Sequence, residues 1–362
     1  MSENKIDITK IDPNFSSPDA DFENTDTYNA MSAPFEIKGV YFDGEKFARL
    51  PREIADGVNE SVEVLYSNTS GGRIRFRTDS ERITLTALLP SVCSFPHMPK
   101  SGTSCFDLYA ENDYRGFFNC DYKQRDDGSG LYEGAATLTI KSKEIKNITI
   151  DFPLYNDVSA VYVSLDRGCR LEAPLPEKYE TPVVYYGSSI TQGGCASHPG
   201  NAYPNIISRR LGTNFINLGF SSGCLVEEKM IKYISTLYMN VFVYDYDHNS
   251  QTYQFLEKTH EAGYKKFREG NPTVPIIMIT SADISTEREK RINVIRTTYE
   301  NALKSGDKNV YFIHGDDIYA PVGKEYCTVD KCHPNDLGFF CMANAIEKII
   351  KEILERNQAA HV

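Results

Sequence analysis

From residue 36 onward, apolar positions come first in short bursts. Gly39-Val40-Tyr41-Phe42 runs into a turn at Asp43-Gly44, Arg73-Ile74-Arg75-Phe76-Arg77 alternates with period two, and Ile83 to Leu88 follows. Ala136 to Ile140, Ile148 to Phe152 and Ala160 to Leu165 continue the series. Alternation places successive side chains on opposite faces of a pleated strand, and frequent turn residues fold such strands back on one another. Residues 36–172 are therefore expected to form an antiparallel β-sandwich or jelly roll, with no long helix. Residues 1–35, polar and rich in Asp, Asn, Ser and Pro, are expected to be a loosely ordered arm.

Pro174, Pro176 and Pro182, set among charges, mark a linker, and the pattern then changes. Short apolar runs at Val183–Tyr186, Phe215–Leu218, Val241–Tyr244, Ile276–Ile279 and Val310–Ile313 read as buried strands. Helical periodicity fills the gaps: Tyr203 to Leu211, from about Glu227, about Thr252 to Arg268, about Thr286 to Lys304, and about Asn335 to Arg356. Strand-helix alternation predicts an α/β fold for residues 181–358, a three-layer α/β/α domain around a five-stranded parallel sheet.

Composition narrows the function classes. With 362 residues, two domains are expected. Lys and Arg total 39 against 50 Asp and Glu, a net charge of -11, which disfavours a phosphate backbone as partner, so no nucleic-acid role is expected. No apolar stretch approaches the ~20 residues of a membrane span, so no membrane partner is expected either. The start, Met1-Ser2-Glu3-Asn4-Lys5, lacks the basic and apolar parts of a signal peptide, and a cytoplasmic location is expected. Nine Cys in no framework spacing suggest reduced thiols. Cys327, Cys332 and His333 lie close in sequence, but without a paired C-x-x-C pattern no metal site is expected.

In an open parallel sheet, ligands bind beyond the carboxyl ends of the strands. The residues following the strands are Gly187-Ser188-Ser189-Ile190-Thr191-Gln192-Gly193, then Gly219-Phe220-Ser221-Ser222-Gly223, then Asp245-Tyr246-Asp247-His248-Asn249, and finally Asp330-Lys331-Cys332-His333. A hydroxyl nucleophile, glycine-flanked amides, a side-chain amide and an Asp/His pair thus meet on one rim. Singly, each reads equally well as a turn or helix cap.

These blocks resemble the SGNH hydrolases, the GDSL-like esterase and lipase group. Gly187-Ser188-Ser189-Ile190-Thr191 is similar to the first block of that family, with Ser188 in place of the usual Asp; Asn217-Leu218-Gly219-Phe220-Ser221 is similar to the second, Asn249 to the Asn of the third, and Asp330-x-x-His333 to the last. The longer run Tyr185 to Gly193, with Cys195 to Pro204, resembles a bacterial subgroup that carries an N-terminal β-sandwich. Pro96-His97-Met98-Pro99 and Phe106-Asp107-Leu108-Tyr109 are similar to that domain's signature, with Cys105 where Gly is expected.

The resemblance implies Ser189 as nucleophile ahead of its neighbour Ser188, His333 as base and Asp330 as its orienting acid. It implies an oxyanion hole from the amides of Ser189 and Gly219 and the side chain of Asn249. His248, beside Asn249, is a candidate for substrate contact. The implied activity is hydrolysis of short acyl esters, acetyl foremost, through an acyl-enzyme, on a carbohydrate as in the carbohydrate acetylesterases. The alternatives are an acyltransferase with the same triad, or a non-catalytic carbohydrate-binding protein. A small acylated substrate, an acetylated sugar or oligosaccharide, is the expected partner; no cofactor is needed, and homo-oligomerisation is left open. Because every catalytic candidate follows the linker, residues 181–362 alone are expected to keep the chemistry.

Overall fold

The computed structural model describes residues 12, 19–118, 121–282 and 286–360. Residues 1–11 and 13–18 of the expected arm lie outside them. The arm does not run to residue 35: Thr25–Asn29 is a strand paired antiparallel with Ala160–Asp166. Its single large apolar side chain, Tyr28, leans on Phe35, which explains why the polar stretch hides a strand.

Residues 25–172 form two large antiparallel sheets and a small two-stranded one, Tyr41–Phe42 with Phe47–Ala48. One orders Thr25–Asn29, Ala160–Asp166, Arg82–Leu89, Tyr132–Thr139 and Lys123–Gln124; the other orders Leu171–Glu172, Arg73–Thr78, Lys146–Asp151, Phe106–Ala110 and Asp113–Phe118, with Glu36–Lys38 on a branch. Their inner faces share a core of Ile74, Phe76, Leu85, Phe106, Leu108, Ile148, Ile150 and Val163. The helices here are short: Arg52–Ala55, Glu60–Leu65 and Lys100–Thr103. Cys105 does not have a positive φ, so the missing glycine of the signature imposes no backbone strain.

The second half is the expected parallel sheet with helices. Strands β1 (Tyr179–Gly187), β2 (Thr213–Gly219), β3 (Val241–Asp245), β4 (Ile276–Ile279) and β5 (Val310–Ile313) stand in the order β2-β1-β3-β4-β5. The longer helices are α1 (Tyr203–Leu211), α2 (Glu228–Thr236), α3 (Tyr253–Gly270), α4 (Arg288–Lys304) and α5 (Asp336–Ala360). The two-residue period of β1 decides both faces. Val183 and Tyr185 pack with Ile206, Ile207, Ile346 and Ile350 of α1 and α5; Val184 and Tyr186 pack with Met230, Ile231, Leu256 and Phe267 of α2 and α3. Strand order reverses around β1, which puts the crevice where ligands bind at its carboxyl end.

The linker does not separate two independent cores. Met98, Leu154 and Tyr155 of the first half belong to one hydrolase-side cluster, and Ala48, Leu50, Val62 and Tyr66 to the other. The seam also buries charge. Asp107 accepts from Gly200 N–H at 2.7 Å and sits 2.5 Å from His198 Nδ1, and Asp151 lies beside it. Burial first, then the neighbouring Asp107 carboxylate, pushes the Asp151 carboxyl up to about 8. The folded state then holds a proton that the unfolded chain has released, so stability falls as pH rises from the ordinary carboxylate range toward 8. Asp151→Asn is expected to flatten the dependence of Tm on pH between about pH 4 and about pH 8. Parallel melting curves for both proteins would count against a shared proton at this seam.

Candidate active site

The backbone leaving β1 turns at Gly187 into a single helical turn, Ser189–Gln192. Its two serines divide the work. Ser188 is fully buried and caps the turn, its hydroxyl accepting from Ile190 N–H at 3.1 Å. Ser189 Oγ instead lies 2.9 Å from His333 Nε2. His333 Nδ1 lies 2.8 Å from Asp330 Oδ2, while Asp330 Oδ1 accepts from the backbone amides of His333 at 2.7 Å and Cys332 at 3.0 Å. With Nδ1–H donating to the carboxylate, Nε2 keeps the lone pair that faces the serine. Burial alone would raise the Asp330 carboxyl; the bonds from the His333 ring and the two amides outweigh it and hold the group below its ordinary range. The turn over Asp330 to His333 that makes this possible has Lys331 at φ 68° and is closed by a bridge between Thr328 and Pro334.

The amides need one correction. Gly219 does not offer its N–H, which donates to Asn217 Oδ1 at 2.8 Å. Asn217 is fully buried and also donates to Thr191 O at 2.7 Å and Ser70 Oγ at 3.1 Å, so it is a staple across the site floor. Gly219 serves instead by having no side chain, because a Cβ there would stand 2.3 Å from Gln192 N. In the same loop Ser221 N–H is engaged by Gln192 Oε1 at 3.1 Å. Ser222, at φ 58°, has no acceptor for its N–H among the described residues, nor has Ser189. Asn249, in the turn after β3, donates through Nδ2 to Phe220 O at 2.9 Å, which leaves one amide hydrogen uncommitted.

The other polar residues of the rim are placed elsewhere. His248 Nε2 lies 3.0 Å from Ser281 Oγ. His198 faces Asp107 and stacks on Tyr114, Asp247 pairs with buried Arg291 at 2.9 Å, and Asp316 pairs with Arg288. Asp245 lies within 3.3 Å of Thr191 Oγ1 and 3.2 Å of Tyr203 OH, and burial raises its carboxyl to about 6. A cavity of about 250 Å³ opens at the seam between the halves, between Arg73, Asp151, Asn205 and Arg209; it holds none of the triad, so chemistry rather than void volume locates the site.

The first half reaches into this site, which the sequence reading did not anticipate. Tyr155 donates from its hydroxyl to Ser189 O at 3.2 Å and lies 2.9 Å from Ser221 Oγ. Arg49, buried, donates to Gly219 O at 2.5 Å, Asn217 O at 3.3 Å and Leu65 O at 2.7 Å, with its guanidinium over the Phe220 ring. Burial draws that guanidinium down to about 9, which leaves it cationic at neutral pH. Ser70 Oγ donates to Gln192 O at 2.6 Å. His97, from the Pro96-His97-Met98-Pro99 signature, also reaches the site, with Nε2 3.9 Å from Asp330 Oδ2.

Comparison with known proteins matches each half of the chain to a family model. Residues 180–351 match the GDSL-like lipase/acylhydrolase family, and residues 25–171 match the GxDLY domain, described as the N-terminus of SGNH-hydrolase-type esterases. A structure from Bacteroides ovatus described as a GDSL-like lipase is 26% identical, with a TM-score of 0.78 over 92% of this chain and 98% of its own. A salicylyl-acyltransferase from a tetracycline biosynthetic pathway, SsfX3, is 18% identical at TM-score 0.69 over 93% and 98%. A family two carbohydrate esterase from Cellvibrio japonicus is 10% identical at TM-score 0.58 over 91% and 98%. Among curated proteins, none matches the chain by sequence.

Proposed function

Since the chain belongs to the GDSL-like lipase/acylhydrolase family, and is thus an ester-hydrolysing serine hydrolase, we propose that it removes short acyl groups, acetyl foremost, from a carbohydrate through an acyl-enzyme on Ser189. The observation that carries this reading is the continuous relay from Ser189 Oγ through His333 to Asp330. A serine hydroxyl is a weak nucleophile without a base at hydrogen-bond distance, and His333 Nε2 stands there. As Ser189 Oγ attacks the ester carbonyl, its proton passes to Nε2, and the Asp330 carboxylate stabilises the imidazolium. The carbonyl oxygen gains negative charge and meets the N–H groups of Ser189 and Ser222 and the free amide hydrogen of Asn249. His333 then returns the proton to the leaving alcohol, and water repeats the sequence on the acyl-enzyme.

The sugar is supported by likeness to carbohydrate esterases, among them an acetyl xylan esterase from Butyrivibrio proteoclasticus at TM-score 0.56. A second reading is acyl transfer, in which an alcohol replaces water, and it is favoured by the higher likeness to the salicylyl-acyltransferase than to the carbohydrate esterases. A series of p-nitrophenyl esters tests the acyl part. Acetyl is expected to react fastest, because each added methylene gains its burial of about 0.8 kcal/mol only where an apolar groove receives it. Rates that climb steadily to octanoate would reject the short-acyl reading. Release of acetate from acetylated xylo-oligosaccharides, run with and without an added alcohol acceptor, separates hydrolysis from transfer.

A further inference from the structure

We propose that His97, Cys195 and His333 form a binding site for a borderline-soft divalent cation of the zinc class, and that its occupancy switches the esterase off. The three side chains come from separate segments: His97 from the loop that the sandwich sends to the site, Cys195 from the turn after the nucleophile helix, and His333 from the triad itself. Their ligand atoms all lie within 4.8 Å of one another. Zinc bound to two imidazole nitrogens and a thiolate holds such donors at about 3.5 Å from each other, as follows from bonds of about 2.1 and 2.3 Å in a tetrahedron. The closing movement required is on the order of 1 Å. His97 can make it, because its side chain is 41% exposed and in contact with solvent.

Cys195 is the anchor. It is buried, and its φ of 74° is one that glycine adopts freely and a side-chain-bearing residue rarely does. Its amide is held against Met98 Sδ at 3.3 Å, on the same loop as His97. Cys195 lies beside the triad without being one of its members. Coordination forms a metal–sulfur bond and releases the thiol proton to solvent; the two histidines bind as neutral imidazoles.

Inhibition follows from His333 having two nitrogens and two obligations. If Nε2 turns to the cation, Ser189 loses its base; if Nδ1 does so, Asp330 loses its hold on the ring. Either way the relay is broken. Two nitrogens and a sulfur suit zinc or cobalt, whereas magnesium and calcium demand oxygen.

This inference rests on the esterase reading only for its inhibitory consequence; the site itself can be tested apart. The 362-residue protein is titrated with Co²⁺, followed by the near-ultraviolet thiolate-to-cobalt band, and hydrolysis of p-nitrophenyl acetate is followed with Zn²⁺ at micromolar concentration. Expected results are one cobalt equivalent giving the band, and inhibition that a chelator reverses and millimolar Mg²⁺ does not reproduce. Cys195→Ser should abolish the band. His97→Ala and Cys195→Ser should each weaken zinc inhibition by at least about tenfold, since loss of even a second-shell partner commonly costs that much affinity. His97 is exposed, so its variant tests the site even if Cys195→Ser folds poorly. A band without esterase activity in the metal-free protein would uphold the site and reject the enzyme reading. Absence of the band, or zinc inhibition equally strong in both variants, would overturn the proposal.

Discussion

Replacing Ser189 by Ala is expected to lower kcat/KM for a small activated acetyl ester by about 10⁴- to 10⁶-fold, with the fold retained, because triad members act as a unit and removing the nucleophile forfeits most of their joint effect. The expected lack of damage follows from the local structure. Ser189 Oγ contacts His333 at the surface of the rim, whereas the hydroxyl that holds the turn together belongs to Ser188. Ser188→Ala should therefore behave in the opposite way. Losing an N-cap acceptor costs about 1 kcal/mol of stability, while the nucleophile and its base remain. A fluorophosphonate should label wild type and Ser188→Ala at Ser189, and should leave Ser189→Ala unlabelled. Substantial activity in Ser189→Ala, or adducts on Ser188, would overturn the assignment.

The contrast between these serines shows how much of the site the sequence makes legible. Gly-Ser-Ser after a strand reads as a turn or cap, and only motif register singles out Ser189; the structure divides the two, with Ser188 capping and Ser189 facing His333. The five parallel strands and their helices were equally legible, because buried strands of four or five apolar residues alternating with amphipathic helices have few other folds to adopt. Asp330 and His333 were legible because three residues of separation suffice to bring their side chains together in one turn. Gly219 was misread for a physical reason. A motif names a glycine whose amide is near the reacting carbonyl, yet whether that amide is free depends on Asn217, two residues earlier, folding its side chain back onto it. Thr25–Asn29 was lost because an edge strand with one apolar face residue lacks the periodicity of a buried one. Arg49, Ser70 and Tyr155 carried no local signal at all. They are ordinary residues of the first half, made important only by the way the seam closes.

That seam reverses the expectation that the hydrolase half works alone. A protein beginning at Thr181 is expected to be insoluble or inactive even on an activated acetyl ester. It would lack Leu50, Val62, Tyr66, Leu154 and Tyr155, which complete the clusters on both faces of the sheet, and would expose apolar surface that invites aggregation. It would also lose Arg49, the donor to Gly219 O, Asn217 O and Leu65 O. The first two of those carbonyls sit on the strand end that carries the oxyanion loop. Without the cation they would be buried acceptors with no donor, and charge-assisted bonds of this kind contribute about 1.5–3 kcal/mol each. Arg49→Met in the two-domain protein isolates this effect, since it keeps the long apolar stem over Phe220 and removes only the guanidinium. Tm is expected to fall by roughly 5–10 °C. The rate should fall by about 10²-fold, the size of effect seen when an oxyanion donor is misplaced. Arg49→Lys should recover part of the stability and less of the rate, because one ammonium cannot span three carbonyls held in a guanidinium fork. Labelling of Ser189 by a fluorophosphonate should be slowed in proportion, which ties the defect to the site rather than to bulk unfolding. If the Thr181 protein is soluble, shows a cooperative melt and turns over the activated ester near the rate of the two-domain protein, the first half does not brace the site, and the contacts of Arg49, Ser70 and Tyr155 are packing alone.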